Sequence, residues 1–259
     1  MHHNNHHVIA NILHLLAGGA MGLASAGLAK AFGWRSADRL PGESRAPQCI
    51  YCFRPSTWQE IFPLFGWLLR PDTLAFYCPC GLKRGQWQQP VCEIAGFILG
   101  LVAMYLQDWS WAAVPLCIGI GLLPAMAMID FHFGIIPDGQ NLLLALLGLW
   151  FVTASGGDVW LALAVSAVLL SVGLFFALVY SKWRGREMLG LGDVKFFAAA
   201  GFWLHAHNAP WFFAGGGLLG LMFHLWWRRH HKNDQQFPFA PALCLSLAIC
   251  VLYQATGAP

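Results

Sequence analysis

The chain has 259 residues, of which 58% are hydrophobic and only 10% are charged, with 15 Lys and Arg against 12 Asp and Glu. Soluble domains carry about 25% charged residues, so this composition excludes an ordinary soluble enzyme and a disordered chain. A formal net charge of +3 also excludes a nucleic-acid-binding protein, because such a protein presents a basic face to the phosphates. The composition predicts a polytopic membrane protein surrounded by a lipid bilayer.

Apolar runs divide the chain into about eight predicted transmembrane helices, since each span needs roughly 17–25 residues. In chain order they cover residues 8–31, 91–107, 110–129, 139–155, 158–180, 195–206, 209–226 and 237–255. The second span fits only with little tilt, and the sixth is too short without flanking residues. The predicted fold class is an all-α polytopic membrane protein with one sizeable polar segment, which lies between the first two helices.

The cations are confined to three blocks, at residues 30–84, 182–195 and 228–232. Because positively charged connections between spans stay in the cytoplasm, these blocks predict cytoplasmic loops and place both ends of the chain outside. Ala24-Ser25-Ala26 could suit a signal peptidase, but the cations follow the first apolar run instead of preceding it. We therefore expect the first span to be retained.

Five of the eight cysteines lie in the polar segment or just after it. We predict an N-terminal transmembrane helix at residues 1–32, a cytoplasmic Cys-rich segment at 33–90 and a seven-helix membrane domain at 91–259. Four thiolates can close a tetrahedral zinc site, and the segment offers a CxxC pair and a CxC pair, with Cys92 nearby. Zinc coordination and unligated, reduced thiols both remain open. The four candidate ligands are Cys49, Cys52, Cys78 and Cys80. The later cysteines, Cys117, Cys244 and Cys250, are predicted to be small apolar packing residues within spans.

Two carboxylates, Asp130 and Asp193, are predicted to lie at the same depth on the cytoplasmic side. Singly, each could be a solvated residue at a helix end, for example an N-cap. Two carboxyl groups that share a site split their proton affinities, so one can take a proton from water while the other polarises a carbonyl. Such a pair meets the requirement for peptide hydrolysis without a covalent intermediate. Gly190 and Gly192 closely precede Asp193 and would let an extended substrate backbone approach it.

These stretches together resemble the signatures of type IV prepilin peptidases, the GxGD-class aspartic proteases of the bacterial inner membrane. The first is Ile129-Asp130 followed by Ile136-Pro137-Asp138, and the second runs from Glu187 to Lys195. Further similar motifs are Arg39-Leu40-Pro41, Pro90-Val91-Cys92-Glu93 and Phe237-Pro238-Phe239-Ala240-Pro241. The resemblance covers nearly the whole chain in order, and eight membrane spans are also the plan of that family.

The resemblance implies an enzyme that cuts the short basic leader from type IV prepilins or type II secretion pseudopilins on the cytoplasmic side, typically after a glycine. It implies that Asp130 and Asp193 are catalytic, and that Glu187, Asp138 and Lys195 have supporting roles. We expect the basic leader to be drawn to Asp138 or Glu187. The proteolysis requires no cofactor, whereas many members then methylate the new N-terminus with S-adenosylmethionine. The family usually has two CxxC pairs in its cytoplasmic segment, and this chain replaces the second with CxC.

Two other classes of protein are compatible with parts of the sequence. A proton-coupled transporter can also place carboxylates inside a helix bundle, although the inverted repeats of many transporters are not evident here. A membrane-anchored zinc or redox adaptor would depend on the cysteine segment and would not need Asp130 or Asp193.

Overall fold

The computed structural model describes residues 2–37, 88–185, 189–230 and 237–257. Regular structure within these residues is entirely helical. The helices are α1 His2–Ala37, α2 Gln88–Gln107, α3 Ala113–Phe133, α4 Asp138–Ala154, α5 Val159–Leu174, α6 Ser181–Arg184, α7 Leu191–Gly201, α8 Ala209–His230 and α9 Ala240–Ala255. A π-helical turn, Phe175–Tyr180, connects α5 directly to α6. The all-helical class predicted from the composition is therefore confirmed for the described residues.

Each predicted span overlaps with one of these helical segments. By length and hydropathy, 4 of the described segments could cross a membrane, namely Ile9–Lys30, Pro90–Gln107, Ala113–Phe133 and Val159–Trp183. The helices Asp138–Ala154 and Ala240–Ala255 are apolar but shorter. The described residues thus support a multi-pass membrane protein.

The helix α7 differs in its bounds from the predicted span at 195–206. It begins at Leu191 because Gly190 adopts an extended conformation, with φ −70° and ψ 147°, and serves as the N-cap. It ends at Gly201, where the backbone turns through Phe202 and Trp203. Asp193 therefore lies within the first turn of a helix, whereas the predicted boundary placed it just before one.

The most enclosed helix is α3, with 67% of its span buried against 33% for the span in α1. Its apolar residues contact α1, α2, α4 and α9, so it forms the centre of the molecule. Such a helix needs apolar residues on all faces, which agrees with its nearly unbroken apolar sequence.

Glycines hold α1, α2 and α3 together at backbone contact. A Cβ atom at Gly22 would overlap the backbone of Gly96 in α2, and one at Gly100 would overlap Gly18 in α1. A Cβ at Gly121 of α3 would likewise lie 2.6 Å from Gly22 Cα. Small residues spaced in this way let membrane helices approach closely, which increases their van der Waals contact where lipid provides little hydrophobic driving force.

Small residues in the later part of the chain contribute to helix packing, and the prediction that the later cysteines are buried within helices is confirmed. A Cβ at Gly215 of α8 would lie 2.7 Å from Ser246 Oγ in α9, so this glycine allows the two helices to pack. Cys117, Cys244 and Cys250 are buried and free. The cysteine segment lies almost entirely within residues 38–87, outside the described residues, so the proposed division of the chain at that segment remains a prediction.

Candidate active site

Asp130 lies in the last turn of α3, close to where the helix ends. Gly134 terminates the helix in the left-handed conformation, with φ 64°, and its N–H donates to the Asp130 carbonyl oxygen at 2.7 Å. The Asp130 side chain is only 5% exposed. Its Oδ2 accepts a hydrogen bond of 2.9 Å from the Ala240 N–H, and the backbone of Phe239 also hydrogen-bonds to it. A carboxylate at this position satisfies free N–H groups at the start of α9 and interacts favourably with the helix dipole.

Asp193 occupies the third position of α7, and its carboxyl group also lies near a helix N-terminus. The backbone of Gly190, the N-cap residue, hydrogen-bonds to this carboxyl group. The arrangement corresponds to half of a capping box, in which the third helical residue reaches back to the N-cap N–H. Both aspartates are therefore held by backbone groups at helix N-termini, Asp130 by α9 and Asp193 by its own helix.

The two carboxyl groups line one pocket of about 250 Å³. They interact electrostatically with each other, although they are 63 residues apart in the sequence. One wall consists of the end of α3 and the connection to α4, and the other is the start of α7. The lining residues are Asp130, Gly134, Ile135, Ile136, Asp138, Gly190, Leu191, Gly192 and Asp193. The structure thus brings together the two aspartates and both glycines that were singled out in the sequence.

The glycines before Asp193 leave room at the wall of the pocket. A Cβ at Gly192 would lie 3.5 Å from Ile136, which is ordinary van der Waals contact. At Gly190 a Cβ would lie 3.3 Å from Asp193 Oδ2, which is somewhat tight. Packing within the chain therefore tolerates a single Cβ at position 192, which would lie against Ile136 at the lining of the pocket.

Asp138 and Lys195 form an ion pair at the edge of this pocket. Lys195 Nζ lies 2.7 Å from Asp138 Oδ1, and the two side chains are 51% and 73% exposed, respectively. Because solvent screens such pairs, this one contributes little to stability. It also partly neutralises Asp138, which reduces the attraction that this carboxylate alone could exert on a basic leader. Glu187, the other predicted supporting acid, lies outside the described residues.

The chain is similar in sequence to known proteins of one family. The pattern of the type IV leader peptidase family matches residues 117–225. A prepilin leader peptidase/N-methyltransferase of Dickeya chrysanthemi is 31% identical over 216 residues, which cover 81% of this chain and 74% of that protein. This chain belongs to the type IV leader peptidase family.

Other members of the family show a similar degree of likeness. The prepilin leader peptidase/N-methyltransferase of Neisseria gonorrhoeae is 30% identical, covering 82% of this chain and 71% of that protein. The corresponding protein of Stutzerimonas stutzeri is 31% identical, with coverage of 81% and 71%. No solved structure matches the chain. The family match at residues 117–225 includes every residue that lines the pocket.

Several residues beside the pocket of this leader peptidase family member could not be assigned a role from the sequence. Ala240 and Phe239, which hold Asp130, belong to a motif that was noted only for its resemblance. Cys244 is fully buried one turn later in α9, interacts electrostatically with both aspartates and hydrogen-bonds to the Ala127 backbone. No periodicity could have indicated these contacts, because they depend on how α9 packs against α3.

The predicted zinc ligands belong to the polar segment between α1 and α2. Cys49, Cys52, Cys78 and Cys80 all lie outside the described residues. Cys92, the nearby fifth thiol, is 1% exposed, and its Sγ lies 3.6 Å from the Pro124 carbonyl oxygen. Within the described parts of the chain, no group of three or more His, Cys, Asp or Glu residues is arranged to hold a metal ion.

Proposed function

We propose that this protein cleaves the basic leader from type IV prepilins or type II secretion pseudopilins, with Asp130 and Asp193 as the catalytic pair. The observation that carries the proposal is the pocket in which both carboxyl groups meet beside Gly190 and Gly192. Family membership supports the reaction class, and the names of the curated relatives supply the substrate class.

The proposed reaction is direct attack of water on the scissile peptide bond. The ionised carboxyl group of the pair takes a proton from water, and the water oxygen bonds to the carbonyl carbon of the substrate. The protonated carboxyl group donates its proton to the carbonyl oxygen, which gives a neutral tetrahedral intermediate. This intermediate collapses as its C–N bond breaks: the leaving nitrogen takes a proton from one carboxyl group, and a hydroxyl proton of the intermediate passes to the other, which restores the pair. One water is consumed, and the products are a carboxylic acid and an amine.

The pocket offers a reason why an extended substrate could reach both carboxyl groups. Gly190 and Gly192 line the pocket without side chains, next to the connection between Gly134 and Ile136. A substrate backbone in this pocket would bring its carbonyl group close to Asp130 and Asp193. Correct placement of the reacting groups can itself supply a large part of the rate enhancement.

We further propose eight membrane spans in the bacterial inner membrane, with the pocket facing the cytoplasm. The eight predicted spans coincide with helical segments, and the three blocks of cations support the orientation. In this topology the connection at 134–137 and the start of α7 emerge on the same side. Reporter fusions after residues 135, 156 and 206 would test it, and cytoplasmic signal from the fusion at 156 would contradict the arrangement.

A second activity, N-methylation of the cleaved pilin with S-adenosylmethionine, is proposed from the names of the relatives. We likewise propose that Cys49, Cys52, Cys78 and Cys80 bind Zn²⁺ in the cytoplasmic segment, an inference that rests on their spacing. Metal analysis of the purified wild type and of a Cys49→Ser/Cys80→Ser variant tests the zinc proposal. Equal zinc content in the two proteins would refute these ligands.

The decisive experiment is coexpression of a prepilin with the wild type, Asp130→Asn or Asp193→Asn, followed by mass spectrometry of the pilin. We expect the wild type to remove the leader and both variants to leave it attached. The same spectrum reports the cleavage position and any added methyl group. Undiminished cleavage by either variant would rule out the aspartate pair, whereas no cleavage by the wild type would favour a transporter or adaptor role for the chain.

A further inference from the structure

Two amide side chains, Gln140 and Asn141, lie buried at the start of α4. Their exposed fractions are only 6% and 4%, while the neighbouring Leu142 and Leu143 are exposed. They follow Asp138, whose side chain lies on the outside at the edge of the pocket. The first turn of α4 therefore presents a charge to solvent and a pair of amides to the interior.

The two amides reach in different directions and connect three helices. Asn141 Nδ2 donates to the Gly192 carbonyl oxygen at 3.3 Å, and Gln140 Nε2 donates to the Ala29 carbonyl oxygen at 2.7 Å. Gly192 lines the pocket and immediately precedes Asp193. Ala29 lies in α1, far outside the stretch at 117–225 that matches the family pattern. Through these two hydrogen bonds, the amide pair connects α1 to the backbone residue that immediately precedes Asp193.

Stability alone does not explain amides at these positions. Gln140 Oε1 and Asn141 Oδ1 are buried and have no hydrogen-bond partner among the described residues. An unsatisfied buried oxygen carries a desolvation penalty that is comparable to or larger than the net gain from one hydrogen bond. A leucine of similar volume would bury the same space without that penalty. The amides are therefore expected to be retained for the carbonyl groups that they hold.

A second buried polar side chain that hydrogen-bonds to the backbone of α7 provides a contrast. Ser166 of α5 is 7% exposed, and its Oγ donates to the Ala198 carbonyl oxygen at 2.7 Å. This bond also attaches a side chain to the backbone of α7, but it lies more than one turn beyond Asp193 and does not involve a residue of the pocket. Asn141 and Ser166 thus make the same kind of contact to the same helix, at its start and in its middle.

We propose that Asn141 and Gln140 are positioning residues of the active site, an inference that rests on the proposed function. Asn141 holds the Gly192 carbonyl and thereby fixes the start of α7, so that the Asp193 carboxyl group faces Asp130. Gln140 fixes the first turn of α4 against α1 and so keeps Asn141 in place. The N-terminal helix is in this way a structural part of the peptidase site and not only a membrane anchor.

The test compares Asn141→Leu, Gln140→Leu and Asn141→Thr with the control Ser166→Ala, each in the full-length protein in detergent. For Asn141→Leu we expect an unchanged or higher melting temperature together with a kcat that is about 10- to 100-fold lower and a KM that changes little. Asn141→Thr keeps a donor and should recover part of the rate. Gln140→Leu should have a smaller effect in the same direction, and Ser166→Ala should leave kcat within about twofold.

Hydrogen exchange provides a readout that does not depend on activity. In Asn141→Leu, we expect the amides of residues 191–197 to exchange about tenfold faster than in the wild type, with no such change in Ser166→Ala. If Asn141→Leu cleaves as fast as the wild type with unchanged exchange, the positioning role is wrong while the proposed function stands. If the wild type cleaves no prepilin but exchange still rises in Asn141→Leu, the proposed function fails and the positioning of α7 is retained. If Asn141→Leu lowered the melting temperature and the activity together, Asn141 would have only a structural role and the positioning proposal would be wrong.

Discussion

Two pairs of charged residues come from the same two stretches of the chain but have opposite surroundings. Asp130 is 5% exposed and shares its pocket with Asp193, whereas Asp138 and Lys195 are largely exposed and form an ion pair at the edge. The separation follows from helix geometry, because residues two apart on a helix, such as Asp193 and Lys195, point in very different directions. Asp130 and Asp138 are similarly separated by seven residues that include the left-handed Gly134. The two pairs therefore differ in exposure, since Asp130 is buried and Asp193 is partly buried, while Asp138 and Lys195 face solvent.

The largest effect is expected from substitution of the proposed catalytic pair, Asp130 and Asp193. We expect Asp130→Asn and Asp193→Asn each to lower the rate of prepilin cleavage by about 10³-fold or more, because each removes one of two cooperating proton-transfer groups. The double variant should lose little beyond either single variant, since residues that act together are not additive. Single-turnover cleavage with purified proteins measures this, and Asp138→Asn is the matched control. Independent, multiplicative losses would contradict a shared function.

A smaller loss is expected when the wall of the pocket gains a side chain. Gly192→Val should slow cleavage by about 10- to 100-fold, because its methyl groups would occupy the space beside Asp193 that is proposed for the substrate backbone. A Cβ at this position would lie 3.5 Å from Ile136, so the melting temperature is measured as well, to separate a change in packing from a loss of substrate space. Gly217→Val in α8, where a Cβ would meet nothing within 4 Å, is the control. Full activity of Gly192→Val would show that the substrate does not approach from this wall.

Reversing the charge of the leader should lower the cleavage rate less than substitution of Asp130 or Asp193. A prepilin whose leader cations are replaced by Glu is expected to be cleaved about threefold more slowly at low salt, since Asp138 is already paired with Lys195. Raising the ionic strength should reduce this difference, because salt screens exposed charges. Competition between the two prepilins in one reaction provides the measurement. Equal rates at low salt would remove the basis for attraction of the leader at the edge of the pocket.

The smallest effect is expected for the exposed ion pair itself. Lys195→Met should change the free energy of unfolding by about 0.2–1 kcal/mol at most, as is usual for exposed pairs, and should leave kcat within about twofold. Thermal unfolding and cleavage kinetics of this variant and of Asp138→Asn test the expectation. A large loss of kcat in Lys195→Met alone would show that the edge of the pocket participates in chemistry, contrary to the comparison drawn above.

The sequence was informative about the outline of the fold because apolar runs and cation positions depend on local chemistry. The helix class, the approximate positions of the segments and the proximity of Asp130 to Asp193 could be inferred from composition, spacing and resemblance. The start of α7 was misplaced because apolar length alone marked its boundary, whereas the extended Gly190 and the carboxyl group of Asp193 determine where the helix begins.

By itself, the sequence determined that this is a helical membrane protein with two candidate acids near the same membrane boundary, since hydropathy and motif spacing are properties of the chain. Only the tertiary structure decided how those acids are held. The Ala240 N–H reaches Asp130 across 110 positions of sequence, and Asn141 reaches Gly192 across 51. Such contacts depend on which helix faces meet, and that is set by the packing of glycines and apolar residues around α3. The sequence therefore indicated the two candidate acids, and the fold revealed the backbone and amide groups that hydrogen-bond to them or to their neighbours.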